Sequence, residues 1–229
     1  MIDLIITTCG RVDLLKRTLR YIWNRTKTPY KIIVIDDASS DGTRGYLNNL
    51  LNQDKVSKVI FNDVRLGIPA NMRTFDKVTS SDPIVFSDDD VLCPKLEPDW
   101  LSQGLSVMKK FPKIGLLSLN DPQCNVGDKR GRLKRYDRFT FCRNIPGHFV
   151  FVRREVLNKI KVADRETSPV KAMCFKAPSI GYKVAYLNNV WCQHIGVVSV
   201  RNKKDLGKEL SLVNPINLGT LEPPDKYRG

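Results

Sequence analysis

No run of ~18 apolar residues occurs in this chain, so nothing in it reads as a membrane-spanning helix. The opening MIDLIITTCGR carries an acid at position 3 and only a short apolar run, which is not the pattern of a secretory leader. Histidine occurs only twice, and the six cysteines (Cys9, Cys93, Cys124, Cys142, Cys174, Cys192) never form a CxxC pair. That excludes the common zinc and dithiol spacings. In a chain able to build its own core, scattered thiols read as buried side chains in a reducing, cytoplasmic compartment. Zinc-finger, RRM-like and basic-zipper patterns are missing, as are internal repeats and low-complexity tracts.

What the chain does have is enough apolar content for a core. Of its 229 residues 41% are hydrophobic, which fits one α/β domain. Its compositional outlier is a formal charge of +14. Such an excess implies polyanionic partners: phosphorylated small molecules, an anionic membrane surface or nucleic acid.

Strand and helix patterns alternate along the sequence. Residues 2–8 form a β-branched run, after which Leu14, Leu15, Leu19, Ile22 and Trp23 recur at helical spacing. A second strand over 30–35 ends at Asp36-Asp37, and the turn-rich ASSDGT leads into a helix carrying Tyr46, Leu47, Leu50 and Leu51. A short strand at 59–61, the loop NDVRLGIPAN, a helix over 71–78 and a strand at 84–87 follow. Further on the pattern predicts a helix from Pro98 to Phe111, a strand at 114–119, a basic loop or hairpin outside the core at 120–143 and a strand at 149–152. It then gives helices at 154–160 and 173–180, a strand at 182–187 and a segment at 190–194. Short connections between alternating elements predict a mainly parallel sheet covered on both faces.

The chain is organised around PIVFSDDDVLCP, residues 83–94, where an apolar strand stops at Asp88-Asp89-Asp90. Strand alternation puts Asp88 and Asp90 on one side and Asp89 on the other. Neighbouring carboxylates raise each other's pKa unless a cation or donors lie between them. Oxygen ligands favour Mg²⁺ or Mn²⁺, which share their shell with substrate phosphates. The alternative is a solvated acidic turn. In open parallel sheets the ligand crevice lies beyond the carboxyl ends of the strands, so Asp36-Asp37 and the three aspartates are expected to face one crevice.

The order of these pieces resembles the family 2 glycosyltransferases, which have the GT-A fold and use nucleotide-sugar donors. The resemblance rests on ITTCGRVDLLKRTL, IIVIDDASSDGT, NDVRLGIPANMR, PIVFSDDDV with PDWL after it, GHFVFVRREVL and GYKVAYLNNVWCQHIG. It implies a single GT-A domain over 1–200, with a donor half at about 1–95, an acceptor half at about 96–200 and an extended or mobile tail at 201–229. It also implies donor-nucleotide contacts from Thr7, Cys9, Arg11, Asp36, Asp37, Arg73, Asp88 and Asp89. Asp88, Asp90 and His194 become the ligands of Mn²⁺ or Mg²⁺, and Gly147 and His148 stand on the acceptor side.

One departure concerns the chemistry. Inverting transfer needs a carboxylate to take the acceptor hydroxyl's proton. The family usually supplies it from a Glu-Asp pair shortly before the late Gly-Tyr strand, where this chain has Pro169-Val170. The nearest acids are Asp164 and Glu166, with Glu166 the first choice. A retaining mechanism and a catalytically weak donor-binding chain stay open. The expected reaction is transfer of a sugar, from a UDP-sugar by preference, to a hydroxyl of a glycan, glycolipid or protein-linked glycan. The basic stretch 129–138 fits a phosphate-bearing or lipid-linked acceptor, or peripheral contact with an anionic membrane. A basic nucleic-acid-binding module would explain the charge but not the two acid-terminated strands, and no specific nucleic-acid partner is expected. A nucleotidyltransferase would need a Gly-rich phosphate loop after the first strand, and TTCGRVD has one glycine.

Overall fold

The computed structural model describes residues 1–121, 134–163, 166 and 168–196. The tail at 201–229, Asp164 and residues 129–133 of the basic stretch lie outside the described residues. The first 92 residues contain β1 (Ile2–Thr8), α1 (Val12–Arg25), β2 (Tyr30–Asp37), α2 (Thr43–Asn52), β3 (Lys58–Asn62), α3 (Ile68–Met72), α4 (Phe75–Val78), β4 (Ile84–Asp88) and β5 (Val91–Leu92). They are followed by α5 (Trp100–Lys110), β6 (Ile114–Asn120), β7 (Phe139–Cys142), β8 (Val150–Val152), α6 (Arg154–Lys159) and α7 (Pro169–Lys176). A 3-10 turn at Ala177–Ile180, β9 (Lys183–Trp191) and β10 (Gln193–His194) complete the described elements.

Among the described residues the main sheet has eight strands in the order β3-β2-β1-β4-β8-β6-β9-β7. β3, β2, β1 and β4 run parallel, as do β6 and β9. β8 is antiparallel to both of its neighbours, β4 and β6. Alternation along each strand feeds two cores. Leu4, Ile6, Val34, Val85 and Phe151 pack under α1, α2 and α5, whereas Ile5, Ile35, Phe86, Val150 and Val152 pack under α3, α4, α6 and α7. Burial on both faces is why these strands read as continuous apolar runs.

Local chemistry explains the element ends. Asp99 caps α5 by accepting from Ser102 N–H at 2.9 Å, and the same carboxylate accepts from the backbone N–H of Lys27 and Thr28. One predicted helix, 71–78, is two short ones. The Thr74 hydroxyl donates to the Asn71 carbonyl at 2.7 Å, and the backbone there tightens to i→i−3 bonds. The helix predicted at 173–180 begins earlier, with Pro169 in its first turn, and gives way to the 3-10 turn containing Pro178. The late strand runs unbroken to Trp191. Part of the predicted basic loop enters the core: β7 pairs with β9, and Phe139 packs among Phe111, Tyr136 and Phe141.

Candidate active site

Beyond the carboxyl ends of β1, β2 and β4 lies a cleft of about 670 Å³, the switch-point position for ligands in an open α/β sheet. Thr7, Thr8, Cys9 and Arg11 line it from the first strand and its turn, where Gly10 takes a φ of +64°. Asp37 arrives from β2, Asp88 and Asp90 from β4 and its turn, and His194 from β10. The short β10 pairs with β5 just after the acids, and Ile195 N–H donates to the Asp90 carbonyl. Because β8 runs against its neighbours, its start lies at this same end, and His148 precedes it there.

The two β2 aspartates have different roles. Asp36, also expected to contact the nucleotide, is fully buried, lies 3.2 Å from Arg44 Nε and is not among the residues lining the cleft. Asp37 lines the cleft and accepts from Leu66 N–H (2.8 Å), Gly67 N–H (2.8 Å) and Asn62 Nδ2 (2.9 Å). Burial pushes its carboxyl up, but these donors outweigh that and hold it below the usual carboxylate range. It therefore stays ionised and stiffens the loop between β3 and α3. The Cys9 thiol donates to the Asp37 carbonyl at 3.1 Å, and burial raises its pKa, which favours the neutral thiol.

The three β4 aspartates carry the strongest electrostatics. β4 stops at Asp88, and Asp89 and Asp90 form the following turn. Arg11, predicted as a diphosphate contact, instead spreads its guanidinium across Asp89 and Asp90. Asp89 is fully buried, also accepts from the Thr8 hydroxyl at 2.5 Å, and does not line the cleft, so its predicted nucleotide contact becomes a support for Arg11. Burial, against the opposing pull of Arg11, leaves its carboxyl pushed up to about 7. Asp88, with Thr7 Oγ1 at 3.4 Å, is raised by burial and then by the nearby Asp90. Burial also acts on Asp90, but the His194 hydrogen bond and Arg11 prevail and lower it. His194 Nε2 lies 3.3 Å from Asp90 Oδ2, and that bond raises the imidazole pKa.

A divalent cation fits this donor set in chemistry. Asp90 Oδ1 is buried without a hydrogen-bond partner, and Asp88 and Asp90 face the cleft together. The predicted set of Asp88, Asp90 and His194 is nevertheless not preformed. Among the described residues no three such side chains are arranged to hold a metal ion, because Arg11 and His194 both occupy Asp90 Oδ2.

Glu166 lines the cleft beside Pro169, with its Oε1 accepting from Ser168 N–H at 3.2 Å. Its rival Asp164 lies outside the described residues. His148 is buried, with Nδ1 2.8 Å from Asp121 Oδ2 and its ring tilted by 36° against that of His194, centroids 4.7 Å apart; Gly147 precedes it. Arg73 does not reach the cleft and lines a separate cavity of about 270 Å³ with Asp76, Lys77 and Lys161. Sequence reasoning missed Asp121, Asn62, Asn71 and Arg65. Asp121 carries the same signal as the other acids, a carboxylate directly after an apolar strand (LSLND).

The model of the family described as "Glycosyl transferase family 2" matches residues 3–161. Among solved structures, the mannosyltransferase PcManGT from Pyrobaculum calidifontis, in complex with GDP-Man and Mn²⁺, superposes with a TM-score of 0.69 at 17% identity, over 88% of this chain and 58% of that one. GalNAc-T7 with UDP, GalNAc and Mn²⁺ gives 0.68 at 17% identity, over 85% and 43%. S. aureus TarS 1-349 with UDP-GlcNAc gives 0.65 at 14% identity, over 92% and 64%. The chain thus spans less than two thirds of each of these structures. Comparison with curated protein sequences returns no match. At these identities the structural likeness establishes the GT-A fold, while the family model covers well over half of the chain. An acid-ended parallel sheet, its shared cleft and the matched span agree: this chain belongs to glycosyl transferase family 2.

Proposed function

We propose that the protein is a metal-dependent glycosyltransferase of the hexosyltransferase type that moves a sugar from a nucleoside-diphosphate sugar, with UDP as the favoured base carrier, to a hydroxyl of a glycan or lipid-linked glycan. The observation that carries this reading is the convergence of Asp37, Asp88, Asp90 and Glu166 on one cleft. Asp37 is held ionised by its N–H donors and presents an acceptor to base or ribose groups. Asp88, Asp90 and His194 would hold Mn²⁺ or Mg²⁺. The cation, when bound, neutralises charge gathering on the departing diphosphate. Imidazole in the set favours Mn²⁺.

Glu166 is assigned as the general base of an inverting transfer. The acceptor oxygen forms a bond to the anomeric carbon as the bond from that carbon to the diphosphate oxygen breaks, and the hydroxyl proton passes to the Glu166 carboxylate. The reading is tested by calorimetric titration of UDP-, GDP-, dTDP- and CDP-sugars, with Mn²⁺ and with EDTA. Metal-dependent binding of one donor, lost in Asp90→Ala, supports it. Silence of the folded protein across the whole panel sinks it. Glu166→Gln should leave donor binding intact while slowing transfer by about 10²–10⁴.

A further inference from the structure

Among the described residues five large apolar side chains are markedly exposed, and three of them alternate along one loop: Val64 (65%), Leu66 (49%) and Ile68 (47%). Scattered exposed apolar residues need no explanation, but clustered ones mark a contact surface. This loop forms the rim of the cleft. Arg65, Gly67 and Ile68 face the cleft, whereas Val64 and Leu66 stand outside its lining. Its backbone is fixed from beneath by Asp37, which accepts from Leu66 and Gly67 N–H, and by Asn62, which donates to both Asp37 and Asn71. The loop is therefore held in shape by its polar backbone, and its apolar tips are left to face outward. Two cations flank them. Arg65 is exposed between Val64 and Leu66, and Arg44 donates to the Asn62 carbonyl at the loop's base with its side chain 40% exposed.

We propose that this rim loop is a membrane-contact element whose partner is an anionic bilayer. Val64 and Leu66 enter the boundary between headgroups and acyl chains, Ile68 stays at the cleft lip, and Arg65 reaches lipid phosphates. Tips that project from a fixed loop beside arginines match the layered chemistry of a bilayer interface. The formal charge of +14 adds long-range attraction to anionic lipid. The proposal deepens the function proposed above and rests on it in one respect: the mouth of the donor cleft would open at the bilayer surface, where a lipid-linked acceptor hydroxyl is delivered.

The test is cosedimentation of the full chain with sucrose-loaded vesicles of phosphatidylcholine alone and of phosphatidylcholine with phosphatidylglycerol, without donor or metal. The expected result is binding to the anionic vesicles, and a loss of at least about tenfold in the V64S/L66S variant, which leaves the cleft-facing Ile68 in place. Calorimetry of UDP with the same variant reports whether the donor cleft is intact. Should the variant lose both activities, Val64→Trp decides, because insertion shifts its fluorescence to the blue on anionic vesicles and an aqueous position does not. Absence of vesicle binding by the unaltered chain, full binding by the V64S/L66S variant, or an unshifted Val64→Trp spectrum overturns the proposal. Vesicle binding needs no sugar donor. A silent donor panel with vesicle binding retained would therefore sink the transferase reading and leave the membrane contact standing.

Discussion

Replacing Arg11 by methionine tests the electrostatics of the site most directly. The substitution keeps most of the packing and removes the one guanidinium that spans Asp89 and Asp90. Removing one partner of a buried ion pair costs about 3–5 kcal/mol, since the other charge is left uncompensated. Arg11 keeps 18% of its side chain exposed while Asp89 keeps none, so the low end, about 3 kcal/mol, is expected. For a domain of this size that corresponds to a fall in Tm of about 6–12 °C. The loss should depend on pH. The Asp89 carboxyl is already pushed up to about 7 by burial, against the pull of Arg11, and without the guanidinium it rises further. A carboxyl raised above its unfolded value near 4 supports the fold while protonated, and that support is lost as pH climbs through the folded value. The deficit of Arg11→Met relative to the unaltered protein should therefore be larger at pH 8 than at pH 5, where the lost pairing with the ionised Asp90 still contributes. Urea denaturation at both values measures it, and Asp89→Asn added to the variant should recover part of the loss at pH 8. An equal deficit at both pH values, or one below about 1 kcal/mol, would refute a charge-based role for Arg11.

Three further outcomes follow from the packing and the caps. Gly104→Ala should cost at least about 1–3 kcal/mol in denaturant unfolding, because an added Cβ would lie 2.2 Å from the Phe151 ring in the core. Asp99→Ala should cost about 0.5–2 kcal/mol by removing the α5 cap and the acceptor for Lys27 and Thr28 N–H. Burial pushes the Asp99 carboxyl up, but its donors hold it below the usual range; its contribution is thus present above the unfolded value near 4 and disappears as pH falls through the folded one, so the deficit should shrink in acid melts. Asp37→Ala should weaken nucleotide binding by calorimetry and raise amide exchange at Leu66 and Gly67, whose N–H groups lose their acceptor.

Much of the fold could be read from the chain because both faces of its strands are buried. Runs such as LIIT and IIVI announce a strand without announcing a partner order. The insertion of β8 against the grain between β4 and β6 left no local trace, since strand direction is set by tertiary pairing. Within the site, Asp37, Asp88 and Asp90 were legible because an acid at the end of an apolar strand has few other uses. Asp36 and Asp89 carry the same signal one residue away. Strand alternation in β2 turns Asp36 inward to Arg44, and the turn after β4 buries Asp89 against Arg11; neither guanidinium is adjacent in sequence to the acid it meets. Arg73 lies just after α3, and its side chain lines the separate cavity rather than the cleft, a placement no local pattern in the sequence announces.

The reversed strand has a consequence for how this site can change. In a wholly parallel sheet every residue offered to the crevice follows a strand, and lengthening such a loop displaces the strand or helix next in line. β8 offers a residue that precedes it, His148, between an irregular approach at 143–147 and a strand locked on both edges. Insertions in that approach would remodel that side of the sheet's end while leaving Asp37, Asp88 and Asp90 where they are. One side of the cleft mouth is thereby open to change while the carboxylates on the other stay fixed in place.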